Sequence, residues 1–176
     1  DAWATNDSFA SAIPGGSSKI SSYGSRFQGQ SGSANVSNYI ADNNGTIGYT
    51  EVSFVVDPTR AAKGMQSALI KNAGGIYTAP TAAAAASMIG GSSIDATGFV
   101  TFDYKQTKNT TAYPVVAVTY LLGKTAKSAK NTVVADFAKW MINDYGPTAA
   151  DALGYAPLAG AIKTAALVQA AKINSK

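Results

Sequence analysis

The 176-residue chain contains no cysteine and no histidine. Without thiols there can be no disulfide, no thiolate metal site and no cysteine nucleophile. Without imidazole the commonest general base and metal ligand is gone, so a Ser–His–Asp triad and the usual zinc sites are excluded. Charge is also scarce. Asp, Glu, Lys and Arg make up 14 % of the residues, against roughly 25 % in soluble domains. Arginine occurs only at Arg26 and Arg60. The mild basic excess, +4 overall, is dispersed, and its densest group is Lys124, Lys127 and Lys130. A nucleic-acid interface would need a stripe of Lys and Arg interleaved with aromatics, so no nucleic-acid partner is expected. No apolar run approaches the roughly 18 residues of a membrane span. The opening Asp1-Ala2-Trp3-Ala4-Thr5 has neither the basic nor the apolar region of a signal peptide.

Apolar residues account for 46 % of the chain, with Ala, Ser, Thr, Gly and Asn filling the polar remainder. That balance supports a folded core over disorder. Thr5-Asn6-Asp7 supplies capping oxygens for a short helix over 8–13, which Pro14-Gly15-Gly16 stops. Val36, Tyr39 and Ile40 recur at helical spacing within a helix from Ala34 to Asp42, closed by Asn43-Asn44-Gly45. Residues 46–56 read as a strand, and Met65 to Ile70 as a shorter one before an Asn72-Ala73-Gly74-Gly75 turn. Thr78 and Pro80 open a helix through the alanine run that ends at Gly90.

Residues 91–112 are polar and turn-rich. The clearest strand follows, Tyr113-Pro114-Val115-Val116-Ala117-Val118-Thr119-Tyr120-Leu121-Leu122, apolar almost throughout as in a strand covered on both faces. Asn131-Thr132 opens a helix to Tyr145 whose apolar stripe runs through Val133, Val134, Phe137, Trp140, Met141 and Tyr145. Gly146-Pro147 should break it, ahead of a short helix to Leu153 and a last helix from about Leu158 to Ile173. Helices alternating with apolar strands indicate an α/β layer structure. The one seam falls near residue 112, dividing the chain into 1–112 and 113–176.

Three passages together resemble the phosphate-binding receptors of bacterial ABC importers. The first is Gly32-Ser33-Ala34-Asn35-Val36, followed after a helix by Gly45-Thr46-Ile47-Gly48-Tyr49-Thr50-Glu51-Val52-Ser53-Phe54. The second is Tyr113-Pro114-Val115-Val116 with Thr119-Tyr120. The third pairs Phe137-Ala138-Lys139-Trp140 with Leu153-Gly154-Tyr155-Ala156-Pro157-Leu158. They stand in the family's order and cover the C-terminal half of its pattern. The resemblance implies a type 2 periplasmic-binding-protein architecture, a mixed sheet flanked by helices, incomplete relative to the two-lobe fold. Residues 1–112 would then belong to a second-lobe-like α/β region, and 113–176 would return to the first lobe.

The resemblance also implies an extracytoplasmic protein that binds without catalysis, holding phosphate or another small anion and serving an ABC permease. The N-terminal half, or another chain, would supply the rest of the ligand shell. Neither a cofactor nor a metal is implied. In the family's anion loop an aspartate and a threonine lead into a helix, and Asp1 and Thr5 match them, ahead of Ser8-Phe9-Ala10-Ser11. Trp3-Ala4 stands where the family has a Ser-Gly pair. That exchange removes a hydroxyl donor and the residue that lets backbone approach an anion closely. A degenerate receptor fold acting as a structural or adhesive surface domain is the alternative. An enzyme would have to use carboxylates such as Glu51, Asp57, Asp95 and Asp103, whose spacing singles out no pair.

Overall fold

The computed structural model describes residues 28–176. They fall into two compact units, one ending at Gln66 and the other running Ser67–Lys176. Residue 112 lies inside the second unit. The helix expected over 8–13 lies outside the described residues.

The first unit is built on α1, Gly32–Asp42. Its half-buried stripe is Val36, Tyr39 and Ile40, as the helical spacing predicts, and Ser37 between them is fully buried. Gly45 closes the turn after the helix in the left-handed region, φ 81°. Residues 46–51 run extended past α1, where Gly48 meets it so closely that a β-carbon would stand 2.7 Å from Ile40 Cδ1. The strand expected over 46–56 does not form: 46–51 has no regular structure. Val52–Val55 turns into helix α2 and Pro58–Ala61 into α3. Asp57 decides that outcome, because its carboxylate accepts from Thr59 N and Arg60 N and caps α3 with Pro58 in the first turn. Extended residues have no neighbouring strand here to reward them, so the cap prevails.

The second unit opens with an antiparallel hairpin, β1 Ile70–Lys71 and β2 Tyr77–Thr78, paired Ile70 to Thr78 and Lys71 to Tyr77. The Asn72–Gly75 turn joins them as expected, with Gly75 N donating to Asn72 O at 3.0 Å. Helix α4, Ala82–Gly90, is the alanine run. Its N-cap is Thr81, accepting from Ala84 N at 3.1 Å, and not Thr78. Thr78 is drawn into β2, where its hydroxyl donates to Ala112 O at 3.0 Å. The turn-rich stretch that follows contains a second hairpin, β3 Ser93–Ile94 with β4 Val100–Thr101. Helices with two small antiparallel sheets make a mixed α/β structure.

Residues 113–122, expected to be a buried strand, form no regular element and pair with no strand among the described residues. Val115, Tyr120, Leu121 and Leu122 are exposed.

Helix α5, Ala129–Trp140, is capped by Ser128, which accepts from Asn131 N. It passes through a π-turn, Met141–Tyr145, directly into α6, Gly146–Ala149. Gly146-Pro147 therefore does not break the helix. Gly146 N donates to Met141 O five residues back, and that widened turn makes room for a proline ring lacking an N–H. A 3₁₀ turn, Asp151–Leu153, ends at Gly154 with φ 79°. Helix α7, Gly160–Ala170, packs against α4, α5 and β3.

The core sits where these three helices meet. Its buried apolar residues are Ala84, Met88, Ala135, Ala138, Ile162 and Ala170, joined by Val100 and Ala112. Five of the eight are alanines. The stripe expected to bury α5 is only partly used: Ala135 and Ala138 are buried and Val134 and Met141 half-buried, while Val133, Phe137, Trp140 and Tyr145 are exposed. Small side chains let the helices approach, and the aromatic face would hold them apart.

Replacing Gly146 by alanine tests the π-turn. An added β-carbon would lie 2.6 Å from Met141 O, a backbone atom. Alanine's helix preference is worth about 1 kcal/mol, and displacing backbone costs more. We expect Gly146→Ala to destabilise by about 1–3 kcal/mol in urea unfolding.

Candidate functional site

Asp1 and Thr5, matched to the family's anion loop, lie outside the described residues. Within those residues, the polar side chains gather in two places, one in each unit.

The first is the N-terminus of α1. Four orphan N–H groups and the helix dipole make such a terminus attractive to anions. Here a carboxylate of the chain lies beside the first turn. Ser33 hydrogen-bonds the Glu51 carboxylate and holds its pKa below the ordinary glutamate value, with smaller help from Glu51's own backbone and from Thr50. Thr50 Oγ1 donates to Glu51 Oε2 at 3.3 Å. Buried Ser37 Oγ donates to Ser33 O at 2.6 Å and lies 3.0 Å from Thr50 Oγ1. Glu51 thus ties the extended segment 46–51 back to the helix start.

The second gathering is centred on Asn109, at the C-terminal half of α4. Asn109 Oδ1 accepts from Ser87 Oγ at 2.9 Å, Thr111 N at 3.2 Å and Ala112 N at 3.1 Å. Its Nδ2 donates to Ser87 O and to Gln106 Oε1. Gln106 Nε2 in turn donates to Met88 O at 3.0 Å. These amides satisfy carbonyls of the helix end and fix loop 103–112 against it. No lysine, arginine or carboxylate side chain takes part, so the cluster suits a structural task. The alternation of polar residues in 91–112 did not reveal it. The signal was Asn109-Thr110-Thr111, where an asparagine can bond backbone two residues ahead.

The carboxylates named as examples for an enzyme, Glu51, Asp57, Asp95 and Asp103, are each taken up by local tasks. Asp57 caps α3 and lies 3.3 Å from Arg60 Nη1. Asp95 Oδ1 accepts from Thr97 Oγ1 at 2.6 Å, Thr97 N at 2.8 Å and Phe99 N at 3.1 Å in the β3–β4 turn. Those bonds, led by the Thr97 hydroxyl, lower its pKa. Asp103 accepts from Lys105 N at 2.8 Å. Among the described residues no group of three or more Asp and Glu is placed to hold a metal ion. No described helix is long and apolar enough to cross a membrane. A shallow apolar groove lies between the β3–β4 turn and α7, lined by Ile94, Ala96, Ala161, Ala165 and Val168.

Lys124, Lys127 and Lys130 stand at the N-terminal end of α5, bracketing its Ser128 cap. Cations at that end add to the positive pole of the helix. The main chain beside them is joined to the last residues: Asn174 N donates to Lys124 O at 3.1 Å and Lys176 N to Thr125 O at 2.9 Å.

No protein-family model, no curated protein and no solved structure matches the chain.

Two variants test these clusters. Glu51 has a lowered pKa when folded, so its stabilisation is complete above the ordinary glutamate value and is lost as pH falls through the lowered one. Glu51→Gln should reduce stability at neutral pH by up to about 1 kcal/mol and flatten the acid limb of the stability–pH curve. Asn109→Ala strands several partners at once and should cost about 2–3 kcal/mol in urea unfolding. Asn109→Asp keeps the acceptor but sets a carboxylate oxygen against Ser87 O and Gln106 Oε1, and should cost at least as much at neutral pH.

Proposed function

We propose that this chain is an extracytoplasmic solute-binding module resembling the C-terminal half of the phosphate receptor of an ABC importer. In this reading it binds a small anion between lobes of a type 2 periplasmic-binding-protein architecture and presents the closed form to a permease. It performs no catalysis. The observation that carries the reading is the order of the three passages along 32–54, 113–120 and 137–158. A sequence with neither imidazole nor thiol is also better suited to holding a ligand than to transforming one.

Anion capture in such a site uses backbone N–H groups and small hydroxyls, with lobe closure removing water. Asp1 and Thr5 are the residues of this chain assigned to the shell, the aspartate accepting from a protonated phosphate oxygen. The rest of the shell would come from the N-terminal half or another chain.

Two observations favour a second reading, a receptor fold kept as a structural or adhesive surface domain. Trp3-Ala4 replaces the Ser-Gly pair, and the Glu51 carboxylate is bonded to the Ser33 side chain in the first turn of α1.

Thermal unfolding with and without inorganic phosphate separates the two. A phosphate concentration one hundred times Kd stabilises by about 2.7 kcal/mol, or about 5–10 °C in Tm for a chain of this size. A shift of that size, diminished by Thr5→Ala, supports the solute-binding reading. An unchanged Tm at millimolar phosphate, in the presence of the full partner surface, overturns it.

A further inference from the structure

Residues 115–122 belong to no helix or sheet among the described residues. Their peptide N–H and C=O groups make no hydrogen bond to another main-chain group among the described residues. Exposed side chains at Val115, Ala117 and Thr119 alternate with half-buried Val116 and Val118, the period of a strand resting one face on its own unit. The segment is anchored at both ends. Before it, Ala112 O accepts from Asn72 Nδ2 and Thr78 Oγ1, and Tyr113 N donates to Ala84 O. Near its far end, the Tyr120 ring stacks on Phe99 at 5.9 Å, and its hydroxyl accepts from Val100 N at 2.9 Å. A backbone anchored at both ends has less conformational entropy to lose when a second strand pairs with it.

Unpaired edge strands are normally shielded by charges, bulges or covering elements. This one carries no charge from Tyr113 to Gly123 and then runs into Lys124, Lys127 and Lys130. No acidic residue occurs between Asp103 and Asp136, or after Asp151. The last residues, which adjoin Lys124 and Thr125, therefore add Lys172 and Lys176 but no carboxylate side chain. None of these lysines forms an ion pair among the described residues. A second copy paired antiparallel on the same segment would set each lysine run toward a stretch holding Lys105 and Lys108. Charge thus opposes self-pairing and favours an acidic partner.

We infer that residues 115–122 are a docking edge for an extended strand of a partner polypeptide, apolar along its paired length and acidic where it meets Lys124, Lys127 and Lys130. Main-chain hydrogen bonds supply the affinity, and the apolar side chains and lysines set register and choice of partner. The inference goes beyond solute binding and does not depend on it.

The test uses the intact chain and fluorescent peptides of eight alternating valine and threonine residues. Three glutamates are placed at one end or the other, to allow either strand direction. One of the two should bind at low salt at least tenfold more tightly than its lysine-ended counterpart and weaken as salt rises. Hydrogen exchange should be fast at 115–122 in the free protein and slowed by that peptide. N-methylation of alternate peptide residues should abolish binding. Ala117→Pro, at an exposed side chain, should do the same, and the triple change Lys124→Glu, Lys127→Glu and Lys130→Glu should reverse the preference toward the lysine-ended peptide without needing the proline variant to fold.

Equal binding of both peptides, binding that survives N-methylation, or no binding overturns the inference. So do slow amides at 115–122 in the dilute free protein, or a dimer that protects them, since the edge would then already be filled. Phosphate plays no part in these measurements, so a failed phosphate shift with intact peptide binding removes the solute reading alone.

Discussion

Helices α4, α5 and α7 meet through alanine methyls, and the thinness of that contact governs the second unit. A buried methyl contributes about 0.8 kcal/mol, against about 1.5–3 kcal/mol for a large apolar side chain. With Met88, Val100 and Ile162 as the larger members, the crossing holds short helices that would be marginal alone. Polar contacts must therefore carry much of the ordering. The Asn109 cluster does so at the end of α4, and Asn72, buried and bonded to Ala112 O and Ile76 N, does so under the first hairpin.

The same constraint explains the surface. Once alanines occupy the crossing, the larger apolar side chains on the same elements must point elsewhere. Phe137, Trp140 and Tyr145 make tilted ring contacts along α5 and the π-turn, with ring centroids 6.1 and 4.9 Å apart. Leu121 and Leu122 project from the unpaired segment. Exposed apolar groups of this size mark surfaces that function covers. The main chain of 115–122, which makes no hydrogen bond to other main chain among the described residues, leaves its donors and acceptors to solvent or to a partner.

Local reasoning reached the candidate site unevenly. Gly45 and Gly75 were legible as turn formers, and both adopt positive φ. The alanine run was legible as a helix because alanine has the best propensity at every position. Glu51 read as part of a strand, but its carboxylate serves the start of α1, a contact across many residues that no periodicity encodes. Asn109 lay in a stretch recognised only as turn-rich. Its task depends on where the end of α4 falls, a feature of the folded chain.

What the amino-acid order determined by itself was the class of chemistry and the local grammar. Missing imidazole and thiol exclude whole families of sites, and caps, turns and helix formers act over a few residues with enough energy to be read directly. Tertiary structure decided which apolar face of α5 turns inward, because helix approach depends on the size of the neighbours' side chains as much as on spacing. It also decided that the most strand-like stretch, 113–122, would lack a sheet. Strand pairing needs a second segment at the right distance, and a sequence can state a preference for extension without containing the partner that satisfies it.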